Sequence, residues 1–72
     1  MNRVEFLEKM VDVLQTDDEI TFETKLEDLE EWDSLAVMST IAFLDKNFGV
    51  KAVYTDFVAM KTIEDIAIKA GI

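Results

Sequence analysis

The sequence predicts an all-α protein: a small bundle of three main helices and one short helix, with a long loop between the first and second helices. Three observations carry this. Apolar residues recur at helical spacing in three separate stretches. Each stretch is preceded by a good capping residue: Asn2, Asp33 or Thr62. Gly49 and Gly71 follow the second and third stretches, where a helix ends in a left-handed residue.

Asn2 caps the first helix, and Glu5, three residues on, completes a capping box. Leu7, Met10, Val11 and Leu14 follow the i, i+3, i+4, i+7 pattern and are its expected inward face. This helix is expected over about residues 3 to 15. Residues 16 to 33 have no sustained period. Ile20, Phe22, Leu26 and Leu29 are spaced anchors that pin a loop to a core, and Leu26 to Leu29 fits one helical turn. Loops of this length in small domains are often functional.

The second helix is expected to start at Asp33 or Ser34 and to end near Phe48-Gly49. At about 100° per residue, Val37, Ile41, Leu44 and Phe48 share a narrow arc, the expected core stripe. Leu35, Met38, Ser39, Ala42 and Lys46 occupy a different side, from about 40° to 140° around the axis from Ser34. Phe43 lies nearly opposite Ser34, and the pattern assigns it to neither core nor surface. Val50 to Val53 is a short connection or a very short strand. Tyr54 to Met60 fits a short helix presenting Phe57, Val58 and Met60. Thr62 caps the last helix, with Asp65 at its third position and Ile63, Ile66, Ala67 and Ala70 inward.

The chain of 72 residues is read as one domain over 1–72. A domain of this size buries only about 60% of its unfolded surface, so its core is modest. It has no cysteine, which excludes disulfides and thiolate metal sites. There is no apolar run near the roughly 18 residues a membrane span needs, nor a signal-peptide pattern at Met1 to Glu5. The expectation is a soluble, cytoplasmic monomer.

Net charge is −9, which argues against nucleic acid and anionic membrane as partners. Residues 17 to 33 hold nine acids and a single base, Lys25. Such a segment is either a solvated loop or a surface that steers basic partner proteins. A calcium loop is the metal alternative. Counted from Asp17, Glu19, Thr21 and Glu23 are spaced oxygens and Asp28 is at position twelve. But Phe22 stands at position six, where the turn needs Gly, and position twelve calls for Glu.

Ser34 stands where the acidic loop meets the second helix, in Glu31-Trp32-Asp33-Ser34-Leu35. The chain has no histidine, and no lysine or arginine is adjacent in sequence, so a self-contained nucleophilic serine lacks its base. Paired-carboxylate chemistry is disfavoured by an exposed acidic loop. No catalytic residue is assigned, and the chain is not read as an enzyme. With Asp33 as N-cap, Ser34 sits at the first helical position with its hydroxyl outside. Trp32 is then placed to staple onto Val37. A phosphodiester on that hydroxyl is favoured by the positive helix end.

Leu26-Glu27-Asp28-Leu29, then Trp32-Asp33-Ser34-Leu35, then an apolar helix ending Phe48-Gly49, then Thr62-Ile63-Glu64-Asp65-Ile66, resembles the acyl carrier proteins along nearly the whole chain. The Asp-Ser-Leu is that family's attachment motif for 4′-phosphopantetheine. The resemblance implies that Ser34 carries the arm, transferred from coenzyme A by a phosphopantetheinyl transferase. It implies that Asp33 helps the transferase place magnesium and substrate, and that Leu35 contacts partner enzymes. Acyl groups would be held as thioesters on the arm and presented to acyl-loading and acyl-transferring enzymes. The chain also departs from the family. Glu30-Glu31-Trp32 stand where small residues usually precede the Asp. Ala36 and Ser39 stand where fatty-acid-synthesis carriers place acids. The reading is therefore a specialised carrier for lipid or secondary-metabolite biosynthesis, with Leu35, Met38, Ser39 and Ala42 as an unusually apolar docking face. The competing position for that face is burial against the long loop. An aminoacyl or peptidyl carrier is a within-family alternative, although Trp32-Asp33 does not match the Gly-Gly-His those domains often carry. An unmodified acidic interaction module is the alternative outside the family.

Overall fold

Helix α1 spans Arg3–Leu14. Helix α2 spans Ser34–Phe48 and α3 spans Ile63–Ala70. Single turns of 3₁₀ helix occur at Leu26–Asp28 and Tyr54–Phe57. No strand forms; Val50 to Val53 is a connection. The computed structural model describes all residues from 1 to 72. No helix is long and apolar enough to cross a membrane.

Each helix begins as its cap dictates. The Asn2 side chain accepts from the Glu5 N–H at 2.8 Å, and Glu5 accepts from the Asn2 N–H. Thr62 and Asp65 form the same reciprocal box on α3. An eight-residue helix is unstable alone, so α3 depends on this cap and on burial of its inner face. Ile63, Ile66, Ala67 and Ala70 are all buried, as the sequence indicates. Gly49 (φ +68°) ends α2 in the left-handed region, its N–H reaching the Asp45 carbonyl at 3.0 Å. Gln15 (φ 54°) ends α1 in the same way without a glycine.

Two core assignments need correction. On α1 the fully buried residues are Phe6 and Met10, with Leu14 behind them; Leu7 and Val11 are half-buried flanks. The stripe is rotated toward Phe6 because three other aromatic rings meet there. Phe6 lies 6.2 Å from Phe22, 6.0 Å from Phe43 and 6.2 Å from Phe48, centroid to centroid. On α2, Phe43 is buried within this cluster, and Ala36 and Thr40 join Val37 and Leu44 inside. Ile41 and Phe48, expected in the stripe, are half-buried. The Thr40 hydroxyl satisfies itself on the Ala36 carbonyl at 2.8 Å.

The long loop is held down twice. Ile20, Leu26 and Leu29 are buried anchors, and Phe22 stacks on Phe6. Main-chain bonds then join the loop to the start of α3: Leu26 N–H to Lys61 O (2.8 Å), Ile63 N–H to Thr24 O (3.1 Å) and Glu64 N–H to Phe22 O (2.9 Å). Arg3 closes the other side. Its guanidinium pairs with Glu64, donates to the Ile72 carbonyl at 3.0 Å and lies 4.1 Å from the Phe22 ring centroid. The radius of gyration, 10.8 Å, is that of a well-packed domain of this length.

Asp65 links this architecture to pH. Hydrogen bonds from the Lys61 N–H (2.7 Å) and then the Thr62 N–H (3.1 Å) hold its carboxyl below the usual carboxylate range. Asp56 is lowered likewise, first by the Val53 N–H at 2.8 Å and further by Lys69. A carboxyl depressed in the folded state stabilises it above its unfolded pKa, and that contribution is lost as pH falls through the folded pKa. Thermal melts should therefore show a stability plateau above pH ~5 and a decline below pH ~4. Asp65→Asn should flatten part of that decline. An unchanged acid limb in Asp65→Asn would contradict the assignment.

Candidate functional site

The site is built on the first turn of α2. Asp33 is the N-cap: its carboxylate accepts from the Ala36 N–H at 2.9 Å, and its carbonyl takes the Val37 N–H at 3.0 Å. Ser34 is therefore free of capping duty, sits at the first helical position and is exposed. The N–H groups of Ser34 and Leu35 find no acceptor within the chain. They point outward from the positive end of a fifteen-residue helix.

The Ser34 hydroxyl has one side-chain neighbour, the Tyr54 hydroxyl at 3.4 Å. No base stands there. Tyr54 went unmarked in the sequence because it lies 20 residues away, with no local pattern tying it to the serine. The turn at Tyr54–Phe57 packs on α2 and brings it in.

The flanking residues sort clearly. Leu35 is 72% exposed and Met38 62% exposed, which decides against burial under the loop. Ala42 is exposed on the same side of the helix, and Ser39 is half-buried. Tyr54, whose hydroxyl neighbours that of Ser34, is also exposed, as is Val58.

Two clefts meet this turn. The larger, about 740 Å³, is open and lies between the loop and the segment from Tyr54 to Thr62. Trp32, Val37, Phe57, Val58 and Met60 make its apolar walls, with Tyr54 on the Ser34 side. The expected Trp32–Val37 staple takes another form: both line this cleft, and the indole pairs with Phe57 at 6.1 Å. The smaller cleft, about 450 Å³, lies between the end of α1 and the start of α2. It gathers Asp33, Leu35 and Ser39 with Glu31. One Glu31 carboxylate oxygen is buried there without a hydrogen-bond partner.

The acids of the loop do not converge. No three carboxylates are grouped so as to hold a metal ion. Glu27, Asp28 and Glu30 are exposed on the approach to α2, so the negative surface lies beside the serine.

Compared with models of protein families, with curated proteins and with solved structures, the chain matches none.

Proposed function

We propose that this protein is a carrier that holds acyl groups as thioesters on a 4′-phosphopantetheine arm at Ser34. The observation that carries the reading is the uncommitted Ser34 hydroxyl: exposed, relieved of capping by Asp33, and beside two free N–H groups. A phosphodiester there would be met by the helix dipole and by those donors, which offsets the surrounding negative charge. The residues present fit such a group. The arm supplies the thiol that the cysteine-free chain lacks. Everything else is positioning. Asp33 fixes the turn and leaves a carboxylate beside the hydroxyl, suited to placing magnesium for the transferase. Tyr54 borders the hydroxyl on its other side and leads into the larger cleft, which is apolar enough to shelter a cargo chain.

Partner enzymes would approach over Leu35, Met38 and Ala42, with Ser39 at the edge. The loop acids would speed the encounter with basic surfaces. Leu35→Glu and Met38→Glu should each lower partner turnover about tenfold or more, as for loss of a central apolar contact, with the helical signal intact. Turnover at the native rate in both variants would remove the apolar face from the proposal.

The reading is tested by incubating the protein with coenzyme A, magnesium and a broad-specificity phosphopantetheinyl transferase, then measuring intact mass. One adduct of the phosphopantetheinyl mass is expected. No adduct with several such transferases would overturn the proposal.

A further inference from the structure

Tyr54 has one polar neighbour, and the turn that carries it is pinned from elsewhere. Its hydroxyl lies 3.4 Å from the Ser34 hydroxyl and makes no other hydrogen bond. That is longer than the roughly 2.7–2.8 Å of a well-made O–H···O bond, so both hydroxyls keep unused capacity. Three contacts fix the turn without using the serine. Phe57 is buried and pairs with Trp32 at 6.1 Å. Asp56 accepts the Val53 N–H at 2.8 Å, and the Lys69 ammonium stands 3.6 Å from the same carboxylate. A fixed segment therefore presents the phenol hydroxyl to Ser34, although Tyr54 itself is 50% exposed.

Resting on the carrier reading, we propose that Tyr54 is the positioning residue for the arm: its hydroxyl donates to a non-bridging oxygen of the Ser34 phosphodiester. The direction follows from the donors and acceptors present. On the unmodified protein either hydroxyl can donate. Once esterified, the Ser34 oxygen has no proton and the phosphodiester offers only acceptors, so Tyr54 becomes the donor. A bond to an anionic oxygen is shorter and stronger than the hydroxyl–hydroxyl contact it replaces. The surroundings give such a donor value. Asp33, the preceding residue, is in no ion pair, and the chain has a net charge of −9. A neutral hydroxyl, with the free N–H groups of Ser34 and Leu35, holds the root of the arm without a cation.

Tyr54→Phe keeps the ring and removes the donor. The parent and the variant should both take the phosphopantetheinyl adduct, since Ser34 is untouched. In the modified parent, a proton–phosphorus Overhauser contact should join the phosphodiester to the Tyr54 ring protons beside the hydroxyl. In modified Tyr54→Phe that contact should fall about threefold to tenfold, as for one partly exposed charge-assisted bond, and phosphorus relaxation should report a more mobile group. The unmodified proteins should melt alike in urea, and the modified parent should have a higher midpoint than modified Tyr54→Phe. No phosphorus contact in the parent, or the same contact and mobility in Tyr54→Phe, would overturn the role of Tyr54 while the adduct leaves the carrier reading standing. An equal loss of stability in the unmodified and modified forms would make Tyr54 structural only and overturn it likewise. Failure of the parent to take any arm would overturn both.

Discussion

Phe6→Ala should remove about half of the protein's stability. Phe6 is fully buried, and its ring is the one paired with all three other rings of the aromatic cluster. Those rings come from α2 and from the loop, so one side chain joins three parts of the chain. Truncating a buried Phe costs about 3–5 kcal/mol, through lost transfer energy and the cavity left behind. A domain of this size has total stability on the order of 4–10 kcal/mol. No disulfide is present to hold the remainder together. Urea melts should place the midpoint of Phe6→Ala at about half the parent's or lower. Leu7→Ala, one residue on and half-buried, should cost much less. Equal losses in the two variants would mean that the inward face of α1 is wrongly placed.

Ser34→Ala should do the opposite: abolish the mass adduct and leave stability nearly untouched. The cap belongs to Asp33, and the serine hydroxyl makes only the long 3.4 Å contact with Tyr54. Alanine is a good residue at an exposed helical position. The expected change in stability is within about 0.5 kcal/mol, as for other exposed substitutions. Loss of the adduct therefore cannot be blamed on unfolding. An adduct retained in Ser34→Ala would place the attachment elsewhere. A melting point well below that of the parent would show that Ser34 has a structural role.

These two residues illustrate what local sequence can and cannot carry. The helix ends were legible because capping is a matter of a few adjacent residues: Asn2 with Glu5, Asp33 ahead of Ala36, Thr62 with Asp65, and Gly49 at φ +68°. The inner face of α3 was legible for the same reason. The inner face of α1 was not. Leu7, Met10, Val11 and Leu14 satisfy the helical period, and so do Phe6, Met10 and Leu14. The choice between these adjacent arcs is made by Phe22, Phe43 and Phe48, which only the tertiary fold delivers. Phe43 had no assignment for the same reason. At the site, Asp33, Ser34 and the exposed Leu35 and Met38 were readable as positions on one helix. Tyr54 was not, because it enters through a turn remote in sequence.

The long loop joins α3 through main-chain N–H and carbonyl groups of Phe22, Thr24 and Leu26, and its apolar anchors face inward. Bonds of that kind do not ask which side chain a residue carries. The exposed acids between those anchors are thus decoupled from the architecture that displays them. Mutation can rewrite the surface one charge at a time, at little cost to folding. A lineage bearing this scaffold could change the proteins it meets without first having to rebuild itself.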